Sequence, residues 1–305
     1  MSNYKNIDDI IGNSSTRYFG EGYRNVKYDI ISKNMELSSV FEMFNITYPD
    51  QWSVKNGQSI NSHLSTIDGI ILAVKSIEDY FIDLGIPYEE LAQFKIHDLV
   101  IKAGKALKEN LDGVAVNFLV KNPESETVSF KGKVGSFSVV VKLRKVSEKF
   151  SKTFTKEIHD YIFSEFKKSK ICISDIKISE IHNNINAVYK INNEHVGSYF
   201  NGISNTVYSG ELSVIDGIVI VAELTEALLL EINNVDRDNS NLLIMRKIHF
   251  HRPETEDNNQ QVKFNIDVLK ETIVSDRNMR LLDCEAKALG FNLLYSVAQE
   301  IGGKK

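Results

Sequence analysis

His63-Leu64-Ser65-Thr66-Ile67-Asp68-Gly69-Ile70-Ile71-Leu72-Ala73-Val74 is a phrase this chain says twice. Glu211-Leu212-Ser213-Val214-Ile215-Asp216-Gly217-Ile218-Val219-Ile220-Val221-Ala222 is its second statement. Leu-Ser-x-Ile-Asp-Gly-Ile is common to both, and an unbroken apolar run follows each. Serine three residues before an acid, just ahead of such a run, marks a capped helix start. The runs Ile70 to Leu84 and Ile218 to Ile232 are too apolar for surface helices. They predict two helices buried around most of their circumference.

Shorter echoes accompany the long one. Val26-Lys27-Tyr28 returns as Ile176-Lys177-Ile178, and Lys95-Ile96-His97 returns as Lys247-Ile248-His249. All are displaced by about half the chain, which predicts two copies of one domain. Residues 1–150 form the first copy with a polar lead-in over 1–22. An amphipathic connecting helix is expected over 151–170, and 171–305 form the second copy. Around each predicted helix lie β-branched and aromatic runs that read as strands. In the first copy these are Val26 to Ile31, Ser38 to Thr47, Phe94 to Ile101, Val114 to Val120, Thr127 to Lys131 and Ser136 to Val146. In the second they lie near 171–181, 185–191, 242–250, 261–273, 280–288 and 291–298. A long apolar helix needs a cover, and the material available is an antiparallel sheet curled around it. The fold class is therefore α+β, a double hotdog: two antiparallel sheets, each wrapped around a long central helix. Joining the sheets edge to edge would protect strands otherwise open to misassociation. Grooves at the seam between copies would hold a small molecule.

Composition excludes several classes. Of 305 residues, 42% are hydrophobic and 25% charged, with 4 prolines, as in an ordinary globular chain. A net charge of −5 argues against nucleic-acid binding, which needs a basic surface. The 2 cysteines, Cys172 and Cys284, cannot build a disulfide framework and are read as buried strand residues. With no apolar targeting core and no run of membrane-spanning length, the expectation is a soluble cytoplasmic protein away from membranes.

Three segments carry a family resemblance: Tyr18-Phe19-Gly20-x-Gly22-Tyr23, Tyr48-Pro49-x-x-Trp52-Ser53 and His63-Leu-Ser-Thr-Ile-Asp68. Together they resemble the avirulence D protein family of plant-pathogenic bacteria. His63 to Asp68 also looks like the His-Pro-x-x-x-Asp helix start of polyketide-synthase dehydratase domains, which are double hotdogs. The resemblance implies chemistry on β-ketoacyl thioesters, joining the acyl chain to a sugar-like acceptor as in syringolides. Its logic is similar to that of the double-hotdog enzymes that make γ-butyrolactone signals. The donor would ride on an acyl carrier protein or coenzyme A, with no further cofactor. Dehydration of a β-hydroxyacyl thioester and non-catalytic acyl binding are the rival readings. A homodimer is compatible with either.

Independently, a helix N-terminus offers unpaired amides and partial positive charge, suited to polarising a thioester carbonyl. An imidazole or carboxylate ahead of that turn is placed to move a proton. The catalytic candidates are His63 and Asp68 in the first copy, and Glu211 and Asp216 in the second. Asp68 and Asp216 have an equal claim as capping-box partners of Ser65 and Ser213. His63 is distinguished because its counterpart is a different residue, Glu211, a difference that suggests divided labour. Arg246-Lys247-Ile248-His249-Phe250-His251-Arg252-Pro253 supplies substrate-binding candidates: Arg246, His249, His251 and Arg252. On a strand, His249 and His251 share one face and Arg246, Phe250 and Arg252 the other. Arginines beside histidines suit a phosphate or a phosphopantetheine arm, although a polar strand end would look the same. A His-x-His pair without an evident third ligand leaves no metal predicted. The aromatic segment at Tyr18 is read as a pocket wall or as packing against the domain edge.

Overall fold

A computed structural model describes residues 1–50, 52–55, 57–104, 107–145, 159–160, 165–168, 170–192, 200–201, 203, 212–252, 263–288 and 290–301. The first half carries β1 (Ser2–Asn6), β2 (Lys27–Glu36), β3 (Ser39–Thr47), β4 (Phe94–Lys102), β5 (Val114–Lys121), β6 (Thr127–Val134) and β7 (Phe137–Lys145). The second carries β8 (Lys170–Ser179), β9 (Asn184–Asn192), β10 (Leu243–His251), β11 (Lys263–Val274), β12 (Met279–Ala288) and β13 (Phe291–Glu300). These make one 13-stranded sheet in the order β1-β8-β9-β11-β12-β13-β10-β4-β7-β6-β5-β3-β2. Apart from β1, the order read outward from the β4/β10 seam is the same in both halves. This is the double hotdog.

Three helices complete the main framework: α1 (Asp8–Ile11), α2 (Thr66–Asp83) and α3 (Val214–Asn233). Side chains alternate along the strands, so Val114, Val116, Phe118 and Val120 of β5 are buried and Asn117 and Leu119 are not. The buried face wraps α2, which lies against β2, β3, β5 and β6, while α3 lies against β8, β9 and β11. A Cβ on Gly69 would sit 2.7 Å from the Phe137 ring, and one on Gly217 2.1 Å from the Phe291 ring. The repeated glycine thus lets each helix sink onto the first residue of an equivalent strand. Among the described residues, no helix is long and apolar enough to cross a membrane.

The seam obeys a local two-fold. Val100 pairs with His249, Leu99 with Phe250 and Ile101 with Ile248. Ala103 N donates to Arg246 O at 2.9 Å, and Arg252 N donates to His97 O at 3.0 Å. These bonds are mirror statements of one contact, with the axis between Val100 and His249. Each seam strand also carries a bulge where it meets its own half, between Ile96 and Asp98 in β4 and between Met245 and Lys247 in β10.

Several sequence expectations need correction. Lys95-Ile96-His97 is not the equivalent of Lys247-Ile248-His249, because the two-fold and the paired bulges match Ile96 with Met245. Likewise Tyr28 pairs with Ile46, far from its hairpin turn, whereas Ile178 pairs with Ile185 beside its turn. Apolar-Lys-apolar triplets suit any amphipathic strand, so both short echoes are coincidences inside a true repeat. The lead-in over 1–22 is structured: β1 pairs with β8 of the other half, and α1 packs on α3. The connecting helix of 151–170 falls mostly outside the described residues. Within it, His159–Asp160 form a strand paired with Phe200–Asn201, and Glu165–Lys168 make one 3-10 turn. Cys284 is buried, but Cys172 is exposed on β8.

One buried group stands out. Glu42 on β3 is 0% exposed, and neither carboxylate oxygen has a hydrogen-bond partner among the described residues. Burial pushes its pKa up to about 7; Ser76 works against this, neighbouring Asp79 reinforces it, and Lys75 opposes it. An acid whose folded pKa exceeds its unfolded one stabilises the fold at low pH and loses that contribution as pH rises through about 7. Urea unfolding at pH 5.5 and 8.5 should therefore show the wild type losing roughly 2 kcal/mol more than Glu42→Gln across that interval. Parallel losses in the two proteins would refute it.

Candidate functional site

At the seam a groove opens between the start of α2 and the middle of α3. Its cavity is ≈ 130 Å³, about ten times the ~10–15 Å³ one water needs, so it accommodates an organic ligand. Phe19, Leu107, Phe137, Ile244 and Met245 give it apolar walls. Leu64, Ser65 and Thr66 bring the start of α2 to it, and Ala222, Glu223 and Glu226 bring the middle of α3. Neither half could form it alone.

The start of α2 is built by a capping box. Ser65 Oγ accepts from Asp68 N at 3.1 Å, and Asp68 Oδ2 accepts from Ser65 N at 2.7 Å. The first intrahelical bond runs from Gly69 N to Ser65 O. The amides of Thr66 and Ile67 have no hydrogen-bond partner among the described residues, so the helix presents two free donors at its positive end. The three motif segments converge here. Tyr18 hydroxyl meets Ser65 Oγ at 2.6 Å, Tyr28 donates to Asp68 Oδ1 at 2.7 Å, and Tyr48 donates to Asp68 Oδ2. Tyr18 and Tyr48 rings lie 4.9 and 5.0 Å from Trp52. Trp52 in turn lies 5.6 Å edge-on to the His63 ring. Gly22 is required because a Cβ there would sit 1.9 Å from Trp52 O. The Tyr18 segment therefore serves both readings: Phe19 walls the groove while Tyr23 is buried.

His63 lines the groove and is half-buried. Its Nδ1 lies 3.2 Å from Asn61 O. A carbonyl can only accept, so in the neutral imidazole this contact places the proton on Nδ1 and leaves the Nε2 lone pair available. Asp68 is 0% exposed and off the groove, its oxygens occupied by two tyrosines and the Ser65 amide. Burial raises its pKa, and the bonds from Tyr48, Ser65 and Tyr28 oppose the rise. The same burial, with the Asp68 charge, drives the Tyr18, Tyr28 and Tyr48 hydroxyls well above their usual range. All three stay neutral, and Tyr28 and Tyr48 donate to Asp68. Asp216 is buried too, with Ser213 Oγ 2.7 Å from its Oδ2. Glu211 lies outside the described residues.

The four substrate-binding candidates do not form one constellation. Arg246 lines the groove and donates to Gly104 O at 3.0 Å. His249 and His251 stand on the opposite face of the sheet, 3.0 and 3.7 Å from Asp98 Oδ2. Lys142 and His97 join them there, Lys142 at 3.8 Å from Asp98 and His97 with its ring 4.8 Å from that of His251. Burial alone would raise the Asp98 pKa, but the His249 hydrogen bond and the nearby positive charges bring it below the usual value. Arg252 is buried behind the strand, its Nε 3.3 Å from Ile96 O. Strand alternation divides the cluster between two faces and leaves Arg252 buried on the side of Ile248 and Phe250.

Sequence reading missed Arg17 and Glu223. Both line the groove, they are 2% and 4% exposed, and they pair at 2.6 Å. Arg17 also reaches Asp8 at 2.9 Å and Gly12 O. The available signal was an acid, Glu223, set between apolar residues in the run of α3. Burial raises the Glu223 pKa while Arg17 lowers it.

A family model described as Pseudomonas avirulence D protein (AvrD) matches residues 2–288. No curated protein sequence matches the chain. The tesB protein of Mycobacterium avium subspecies paratuberculosis is similar at 7% identity and TM-score 0.42, over 88% of this chain and 95% of that one. The acyl-CoA thioesterase II TesB2 of Mycobacterium marinum is similar at 8% and 0.44, over 89% and 95%. A trans-AT polyketide-synthase dehydratase domain from Brevibacillus brevis is similar at 8% and 0.41, over 90% and 97%.

Two stability measurements check this description. Asp68→Asn keeps the shape but turns an amide donor toward existing donors, and should cost roughly 2–3 kcal/mol in urea unfolding. A cost below about 0.5 kcal/mol would contradict the tyrosine cap. Arg17→Met strands a buried carboxylate and should cost about 3–5 kcal/mol, most of it recovered in the Arg17→Met/Glu223→Leu double variant. Additive losses in the double variant would show the pair is not coupled.

Proposed function

The chain belongs to the avirulence D (AvrD) family, and from that membership we infer an enzyme that joins the acyl chain of a β-ketoacyl thioester to a sugar-like acceptor. The observation that carries this reading is the meeting, in one apolar groove, of His63 with Thr66, whose amide at the start of α2 has no hydrogen-bond partner among the described residues. The acyl chain lies along the apolar walls. The thioester carbonyl oxygen accepts from the Thr66 amide at the positive end of α2, which stabilises the negative charge developing on it. An acceptor hydroxyl gives its proton to His63 Nε2 as its oxygen bonds to the carbonyl carbon. The carbon–sulfur bond then breaks, and the departing thiolate takes the proton back from the imidazolium. An ester and a free thiol result. The donor arrives on an acyl carrier protein or coenzyme A, and Arg246 is one of the groove cations suited to its phosphate, beside Lys55, Lys108 and Arg237.

Asp68 acts in this reading through the helix start it caps and Asp216 through its bonds to the N-cap Ser213, and proton movement falls to His63. A second reading, dehydration of a β-hydroxyacyl thioester, has one specific support. Glu223 is a second ionisable side chain lining the same groove as His63, and dehydration calls for two such groups, one to take a proton and one to assist the leaving hydroxyl.

Incubating the protein with β-ketoacyl and β-hydroxyacyl coenzyme A thioesters, with and without pentulose or triose phosphate acceptors, separates the outcomes by mass spectrometry. A new ester with stoichiometric thiol release supports transfer. Loss of water without acceptor supports dehydration. Neither product from any donor would sink the enzyme and leave an acyl-binding protein. His63→Ala should lower the rate by about 10²–10⁴ while its melting temperature moves by no more than ~2 °C. A large fall in melting temperature would make His63 a packing residue instead.

A further inference from the structure

The two-fold at the seam calls for a second groove at the start of α3, and its walls can be identified residue by residue. With Val100 and His249 on the axis, Ala103 corresponds to Arg252. The paired bulges match Met245 with Ile96. Ser136 and Gly290 immediately precede Phe137 and Phe291, the rings lying against Gly69 and Gly217. Glu226 and Glu78 each stand ten residues after the repeated aspartate. Ala103, Met245, Ser136 and Glu226 all line the open groove.

Their counterparts are already engaged with the chain itself. Arg252, 7% exposed, starts where Ala103 stands in the other half. Its Nε lies 3.3 Å from Ile96 O and its Nη1 3.4 Å from Gly290 O. Its side chain therefore spans from the equivalent of Ala103 to the equivalents of Met245 and Ser136, across the space a ligand has in the open groove. The guanidinium also lies 5.5 Å from the Phe250 ring centroid. Those contacts offset the cost of burying it. On the other wall, Glu78 Oε1 accepts from the amide of Ile203 at 2.9 Å, and Ile203 is 2% exposed.

We propose that the second groove is occupied by the protein's own Arg252, which stands in for a ligand, so that the chain holds one acyl ligand and carries a latent second site for the same class. An arginine suits the part, since a flexible apolar stem ending in a polar head has the outline of a short acyl chain with its carbonyl end. The naming of acyl ligands rests on the function inferred above; the occupancy of the groove does not.

Reciprocal substitutions test this by counting bound molecules. Two probes are used: the apolar dye 1-anilinonaphthalene-8-sulfonate, by fluorescence titration, and a non-hydrolysable acyl-coenzyme A thioether, by calorimetry. Wild type should bind one equivalent. Ala103→Arg, which installs the same plug in the open groove, should bind none. Arg252→Ala should bind two, and Arg252→Met, which keeps the volume filled, one. Two equivalents on wild type, one remaining on Ala103→Arg, or one on a folded Arg252→Ala would each overturn the proposal. Should Arg252→Ala fail to fold, the wild-type and Ala103→Arg counts decide. Dye counts of one, none and two with no thioether bound to any variant would uphold the occupied groove and reject the acyl-thioester reading instead.

Discussion

The pairing of β4 with β10 is the contact on which the rest of the molecule depends. Each six-strand half would end in an open edge whose unpaired amides and carbonyls invite association with other chains. Joining the two edges around Val100 and His249 removes both at once. The same join fixes the antiparallel relation of the halves, because equivalent strands meet head to tail. It thereby sets the start of α2 beside the middle of α3 and creates a groove that draws donors from one half and a carboxylate from the other. A slip of one residue at this seam would exchange Ile248 and Phe250 with His249 and His251, turning the core face outward.

A second tie reinforces the seam from the front. The first 25 residues leave the first half, pair as β1 with β8, and return through Arg17 and Tyr18. Tyr4 hydroxyl bonds Glu231 at 2.7 Å on the far end of α3, so the arm is anchored along the helix it crosses. Burying the Arg17–Glu223 pair costs desolvation that a pair of apolar residues would avoid. Its gain is geometric: it fixes where the arm turns, and with it Tyr18 against the cap of α2.

The repeat, the two helices and nearly every strand were legible in the sequence because they rest on local rules. A capping box and an apolar run need no tertiary knowledge, nor does alternation along Val114 to Val120. The groove obeys no such rule. Arg17, Trp52, Leu107 and Glu223 are far apart in sequence and meet only through the seam, so no spacing advertises them. Arg246 to Arg252 misled for the opposite reason. Its residues are adjacent in the chain, yet β10 sends His249 and His251 outward, Arg246 to the groove and Arg252 into the core. The triplet echoes failed because strand register is set by bulges, and a bulge leaves little trace in composition.

A duplicated chain carries its own control experiment. Features kept in both copies face identical structural demands, and Ser65/Asp68 with Ser213/Asp216, and Gly69 with Gly217, are buried devices that cap a helix or seat it on its sheet. Positions where the copies part company are freed from that shared demand. His63 against Glu211, Ala103 against Arg252, and Glu223 against Lys75 are such positions. In the first half, His63 and Ala103 open onto the groove, and Glu223 reaches the same groove from the second. In the second half, Arg252 is buried in the matching place, and in the first Lys75 is paired with Asp79 at 2.9 Å. The asymmetry follows a physical logic. Filling one groove with the chain's own arginine stabilises the core through burial and through contacts with Ile96, Gly290 and Phe250. Leaving the other open forgoes that stabilisation, a sacrifice that makes sense only where a ligand is to be held.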